Sequence, residues 1–196
     1  ETELRILYPH FDNKGKCNRI NLADYPKTKE YLFSNFEVLN NRNYVLKSGR
    51  DWYEIWVPQN PALWKLPKVV FTDISLEPRF CFDSSGKLVN GNCYWMVAKN
   101  EEDLDILLFI QGVCNSRLMN YYHSLMYNNK LYSGRKRYFS QYIENYPLPK
   151  FSDVDFQAIV ALVKQLNSSR DLDKSGLENK LNKLINQAYG LCPNCF

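Results

Sequence analysis

The stretch NEEDLDILLFIQGVCNSRLMNYYHSL, residues 100–125, decides the fold class, because the hydrophobic period changes there. Leu104, Leu107, Leu108, Cys114, Leu118, Tyr121 and Leu125 recur at spacings of three, four and seven, which predicts one long amphipathic helix from Leu104 to Leu125. It opens on EEDLD, acidic residues where the helix dipole favours them. Upstream, the runs LRILY (4–8), WYEIWV (52–57), KVVFTDI (68–74), RFCFD (79–83) and CYWMVA (93–98) are β-branched and aromatic and are bounded by Pro, Gly and Asn. Such runs predict strands, with a turn at SSG (84–86). TKEYLFSNFEVLNNR (28–42) predicts a helix among them. Downstream, Ser152 with Asp155 and Ser175 with Glu178 are capping-box patterns, each announcing a helix, and NSSRDLDKSG (167–176) links the two. The expected class is α+β: a strand-rich body, a long scaffold helix and a helical C-terminal end.

At 196 residues, with 45% hydrophobic and 15% aromatic residues, the chain has enough apolar surface for one well-cored domain and too much to remain disordered. The net charge of +4 is mildly basic, so any polyanion partner must be inferred from where the charges sit. No apolar run approaches the roughly 20 residues of a membrane span, and no signal sequence opens the chain, so the expectation is a soluble, cytoplasmic protein with no membrane partner. The abrupt start at Glu1 in a strand-like run reads as a fragment of a longer protein.

The charges are unevenly spread. From Ile106 to Ile143 there is no Asp or Glu, while Arg117, Lys130, Arg135, Lys136 and Arg137 sit there among many tyrosines and phenylalanines. A second acid-free window, VLNNRNYVLKSGR (38–50), carries Arg42, Lys47 and Arg50. Cations without nearby carboxylates are available to phosphates, and the glycine-containing loops at Ser48-Gly49 and Ser133-Gly134 can lay them along a duplex. The competing reading is a solvated basic face whose tyrosines belong to the core.

Catalytic signatures are missing. The eight glycines never form even a G-x-G, which argues against a cofactor loop, and two histidines are too few for a His-based cluster. An acidic-plus-lysine nuclease site at Glu178 and Lys180, with Asp171 or Asp173 upstream, needs a strand, yet a helix is predicted there and residues two apart on a helix diverge. Of six cysteines, Cys17, Cys81, Cys93 and Cys114 stand singly between apolar residues and read as buried thiols. Cys192 and Cys195 have ligand-like spacing but supply two ligands where a structural zinc needs four.

KVVFTDISLEPRFCFDSSG (68–86), LLFIQGVCNSRLMNYYHSL (107–125), SGRKRYFSQYIENYPLP (133–149) and LNKLINQAYGL (181–191) stand in the order and rough spacing that resembles the TaqI-like C-terminal specificity domains. These are target-recognition domains of adenine-specific DNA methyltransferases, including those fused to endonucleases in type II restriction-modification enzymes. The family shows a K-I-V-F-P-D-I strand, a P-R-F segment, an N-S-K-L helix and a closing L-P-I-P; here Thr72 stands for the proline, Arg117 for the lysine and Tyr146 for the leucine. WYE (52–54) and ILYPHF also match recurrent elements. Related recognition domains occur in type I specificity subunits.

The resemblance implies a recognition domain over 1–150 and a helical extension over 151–196 packing on it. It implies double-stranded DNA and an N-terminal methyltransferase domain as partners. The adenine-holding N-P-P-Y motif and an S-adenosylmethionine loop are lacking, since Asn60-Pro61-Ala62-Leu63 has neither the second proline nor the aromatic. Catalysis and S-adenosylmethionine therefore fall to an absent catalytic domain, and no cofactor is expected in this fragment. The DNA-contacting candidates are Arg42, Lys47, Arg50, Lys130, Arg135, Lys136, Arg137 and Tyr138; Asn115 and Ser116 are expected to be structural hydrogen bonders. The alternatives are a type I specificity-subunit domain, or a protein-assembly domain without direct DNA contact.

Overall fold

The computed structural model describes residues 6–89, 91–98, 100–127, 131–150, 152–170 and 173–195. The fold is α+β, and the chain divides into two compact units, Glu1–Trp64 and Lys65–Phe196.

The first unit opens with a hairpin of β1 (His10–Asn13) and β2 (Lys16–Arg19), in register His10↔Arg19. Lys14 (φ 54°) and Gly15 (φ 82°) form the two-residue turn whose positive φ values match the strand twist. Of the strand expected over 4–8, the part that falls on described residues, 6–8, is not paired. The single helix expected over 28–42 is two: α1 (Pro26–Ser34) and α2 (Phe36–Asn40), followed by α3 (Asn43–Lys47). Asn35 makes the break, because its amide Nδ2 donates to the Tyr31 carbonyl (2.9 Å) and its backbone leaves helical geometry (φ −111°, ψ 16°).

WYEIWV is not a strand. Its backbone turns instead: the Glu54 N–H donates to the Asp51 carbonyl (3.0 Å), and the Ile55 N–H to His10 Nε2 (3.1 Å). Trp52 packs edge-on between Phe33 (5.0 Å) and Phe36 (4.9 Å), so the aromatic residues that suggested a pleated surface build a small ring cluster.

The second unit is built on an antiparallel sheet of β3 (Lys68–Thr72), β5 (Phe80–Asp83) and β6 (Cys93–Val97), with β3 central. The run KVVFTDI divides at Asp73, after which β4 (Ile74–Ser75) pairs with β7 (Lys136–Arg137). At the end of the sheet the fully buried Lys68 ammonium meets Asp83 across the β3–β5 register (3.1 Å). Although desolvation pushes the Asp83 carboxyl up, hydrogen bonds from Ser85 and Lys68 prevail and hold it down at about 2.

The predicted long helix is α4 (Leu104–Asn115) followed by α5 (Arg117–Met126). Ser116 separates them in extended geometry (φ −70°, ψ 152°): its hydroxyl donates to the Val113 carbonyl (2.7 Å) and accepts the Met119 N–H (3.1 Å), ending one helix and capping the next. Leu107, Leu108, Phe109, Gln111, Gly112, Val113 and Cys114 are all buried, so α4 is a central helix rather than an amphipathic surface one. It packs between the sheet and α7 (Asp153–Ser168), and α8 (Ser175–Ala188) packs on α7. A short α6 (Ser140–Ile143) precedes the prolines. Val69, Phe71, Phe80, Val113, Ile159, Val163 and Ile185 belong to the shared core.

The Ser152 cap forms as expected, accepting the Asp155 N–H (3.2 Å). At α8 the expected cap does not form: Ser175 is already helical, Lys174 holds the N-cap position without a side-chain bond, and Asp173 Oδ1 accepts the Ser175 N–H (2.9 Å). Of the four cysteines expected to be buried, Cys114 is; Cys17 and Cys93 are half-buried, and Cys81 faces outward on the edge strand β5. Among the described residues no helix is long and apolar enough to cross a membrane.

Candidate nucleic-acid interface

The arm 131–139 is a tight loop closed by Leu131 N–H donating to the Arg135 carbonyl (2.7 Å), with Ser133 (φ 58°) and Gly134 (φ 71°) in left-handed geometry at its tip. A side chain at Ser133 is strained there; a glycine is not. The arm then enters β7, whose register on β4 (Ile74↔Arg137, Ser75↔Lys136) fixes the three cations in different settings.

Arg135 is exposed, with its guanidinium over the ring of Tyr132 (5.7 Å), itself 72% exposed. Lys136 is half-buried and donates to Asn120 Oδ1 on α5 (2.6 Å). Arg137 donates to Asp73 Oδ2 (3.3 Å) and lies over Phe139 (5.0 Å). Tyr138 is 1% exposed, and its ring stacks on His123 (4.5 Å). Tyr138 thus belongs to the core: it follows β7 directly, and its N–H donates to the Asp73 carbonyl (2.7 Å).

In the first unit, Arg42 braces its own loop, donating to the carbonyls of Leu39 (3.0 Å) and Trp52 (2.5 Å). Arg50 pairs with Glu54 (3.3 Å). Lys47 is exposed in the last turn of α3. Lys130 lies outside the described residues. The two acid-free windows are therefore not acid-free in space: Asp73 reaches Arg137 from 64 positions away, and Glu54 reaches Arg50 from just beyond its window. Of the described candidates, Lys47 and Arg135 present the most open charge.

The second unit also carries a cleft of about 630 Å³ between the start of β5, the α4–α5 junction and α7–α8. Arg79, Arg117 and Lys174 line it, with Glu77 and Glu178. Arg79 is exposed; Arg117 donates to Asn179 Oδ1 (2.9 Å) and Lys174 to the Leu166 carbonyl (2.7 Å), neutral acceptors that leave both charges uncancelled. The amides lining the cleft are consumed by the fold. Asn115 bonds Phe80, Gln111 and Asn167 bond each other (2.9 Å both ways), and Asn182 accepts the Arg117 N–H (2.8 Å). Arg79 is a cation that sequence reading left aside, because it stands singly beside Glu77 in a segment remarkable only for its motif.

Glu178 and Lys180 lie two apart on α8, and Asp173 is engaged by Ser175, so the nuclease-like grouping does not assemble from these three; Asp171 lies outside the described residues. Among the described residues, no three His, Cys, Asp or Glu side chains group as metal ligands.

The profile of the TaqI-like C-terminal specificity domain matches residues 16–148. The chain belongs to this family. It is 42% identical over 189 residues to the type II methyltransferase M.BanIII of Aneurinibacillus aneurinilyticus, covering 95% of this chain and 33% of that protein. It is 27% identical over 149 residues to M.PaeR7I of Pseudomonas aeruginosa (76% and 25% covered) and 26% over 186 residues to M.XhoI of Xanthomonas vasicola (95% and 31%), both type II methyltransferases. The chain spans about a third of the length of the curated relatives it matches.

The segments that carry the TaqI-like resemblance hold the unit together. Phe80 of P-R-F is bonded to Asn115 of N-S (2.9 Å), and Tyr146 of the closing proline motif shares a 2.8 Å hydrogen bond with His123 on α5. The Tyr189 hydroxyl donates to the Pro147 carbonyl (2.5 Å). In this specificity domain Phe80, Asn115 and Tyr146 are scaffold, while Arg79 of the same P-R-F segment and Arg135 of the arm are exposed.

Proposed function

We propose that this chain is the DNA-binding specificity domain of an adenine-specific DNA methyltransferase, or methyltransferase–endonuclease fusion, of a restriction-modification system. The observation that carries the reading is the exposed Arg135 on a tight arm whose Lys136 bonds Asn120, itself in the lining of the cleft edged by Arg79, Arg117 and Lys174. Cations whose partners are carbonyls, amides and rings keep their charge available to a polyanion. In this reading Lys47, Arg79 and Arg135 hold phosphates and set the register, while base edges are read by other exposed loop side chains.

Methyl transfer and S-adenosylmethionine binding belong, in this reading, to a methyltransferase domain in the part of such enzymes that this chain does not span. Residues 1–150 act, in this reading, as the recognition domain and 151–196 as a helical extension that packs on it through α7 against α4, within one compact unit.

A second reading, a protein-assembly domain, is favoured by the exposed rings of Tyr44 and Trp56 on the first unit. Fluorescence anisotropy of the chain with mixed-sequence duplex at two salt concentrations separates the two. The DNA reading expects binding that weakens steeply with salt; no binding at low salt would leave the assembly reading.

A further inference from the structure

The segment after α8 is held in a defined turn. Gly190 (φ 71°) ends the helix, Leu191 N–H donates to the Asn186 carbonyl (2.9 Å), and the buried Asn186 amide reaches forward to the Pro193 carbonyl (3.1 Å). Within this latch, Cys195 N–H donates to the Cys192 carbonyl (3.1 Å), closing a four-residue turn over Pro193-Asn194. A turn of this kind brings its first and fourth Cα atoms within about 7 Å, overlapping the 4.4–6.8 Å span that a disulfide accepts. Proline at its second position restricts the turn before any bond forms. Both thiols are free and exposed, and their side chains lie within hydrogen-bonding reach of each other. The segment lies beyond the family match at residues 16–148.

We propose that Cys192 and Cys195 form a reversible dithiol–disulfide site that reacts with low-molecular-weight disulfides of the glutathione type. The Cys192 thiolate attacks one sulfur of the small disulfide, forming a mixed disulfide and releasing one thiolate. Cys195 then gives its proton to solvent and attacks the Cys192 sulfur. The Cys192–Cys195 bond forms and the second small thiol leaves. Two cysteine thiols are oxidised, one small disulfide is reduced to two thiols, and the electrons balance. Cys195 suits the second step: partial desolvation and its hydrogen bond to Cys192 hold its thiol above the ordinary value, so it keeps its proton until the mixed disulfide is in place. Cys81 is also exposed but has no partner thiol in its strand, so it can end only as an adduct.

The test is intact-mass and peptide mapping of the chain after equilibration with mixtures of oxidised and reduced glutathione, free thiols being blocked before digestion. The proposal expects a two-hydrogen mass loss located in the Cys192–Cys195 peptide, reversed by reduced glutathione, while Cys81 gains a glutathione adduct. In Cys195→Ser the mass loss disappears and an adduct on Cys192 replaces it. Separate adducts on Cys192 and Cys195, an intermolecular disulfide, or unreacted thiols there while Cys81 reacts, would each overturn it. Circular dichroism of the Cys192→Ser/Cys195→Ser double variant, expected to match the parent, shows that the readout concerns chemistry and not folding.

Discussion

The side chain of Asn115 stands beside Phe80 in place of a missing strand: its Oδ1 accepts the Phe80 N–H at 2.9 Å and its Nδ2 donates to the Phe80 carbonyl at 2.8 Å. β5 is an edge of the sheet, and its outward backbone groups at Phe80 meet the end of α4 at the cleft, where Asn115 itself is exposed. A helix cannot continue a ladder, but one amide, carrying a donor and an acceptor, can match one residue's pair. Gln111 adds a second bond to the same carbonyl (3.1 Å).

Asn115→Ala is expected to destabilise the second unit by about 0.5–1.5 kcal/mol, because the Phe80 N–H and carbonyl exchange a fixed amide for water of the cleft. Asn115→Asp keeps an acceptor but loses the donor, and should fall between the two. Urea midpoints at constant m-value check the order.

Gly112→Ala should also destabilise, against its helix propensity. A Cβ at this position would stand 2.8 Å from Val163 Cγ2, on the branched and stiff side chain of the facing helix α7. The expected loss is about 1–3 kcal/mol, exceeding the roughly 1 kcal/mol that alanine gains over glycine in a helix. In the double variant Gly112→Ala/Val163→Ala the two costs should add to less than their sum, which denaturation in a mutant cycle reads directly.

The first unit should weaken in mild acid. His10 is buried, and its Nε2 must be unprotonated to accept the Ile55 N–H. Desolvation lowers its pKa below the usual value, opposed by Glu54 and reinforced by Arg50. The unfolded chain therefore binds the proton first. This contribution to stability is complete above about pH 6.5 and is lost as the pH falls through the depressed folded value. Amide exchange at Ile55, corrected for intrinsic rates, should show falling protection from pH 7 to 5, and His10→Gln should flatten that dependence.

Arg135 and Arg137, two positions apart, should behave differently. In the DNA-binding reading, Arg135→Ala weakens binding about equally for cognate and non-cognate duplexes and lowers the salt slope by roughly one. Arg137→Ala removes the partner of Asp73, so its larger effect should be on the melting temperature. Salt titrations of the parent enzyme beside thermal melts of both variants check this; identical behaviour of the two would refute the assignment.

Tyr138→Phe is expected to leave DNA binding unchanged and stability equal or higher by about 1 kcal/mol. The hydroxyl is buried without a hydrogen-bond partner among the described residues, and burial pushes its pKa well above the usual value, so it carries a desolvation cost with no compensating bond.

What the sequence determined by itself is local or patterned. The strand β3 and its neighbours, the helical character of 104–126 and the Ser152 cap follow from periods and spacings that act within a few residues. The family resemblance rests on residues such as Phe80 and Asn115, which bond each other, and Tyr146, which bonds His123. The tertiary structure decided the rest. Ser116 breaks a helix whose apolar spacing runs on unbroken, because its hydroxyl closes α4 and opens α5 at once. WYEIWV is kept from a ladder by His10, 45 positions from Ile55. The fate of the cations shows the same division: whether Arg135 or Arg137 keeps an open charge depends on Asp73, brought across by the pairing of β4 with β7. Electrostatic pairing depends on distance in space, and a window of sequence without acids says nothing of the acids that folding brings to it.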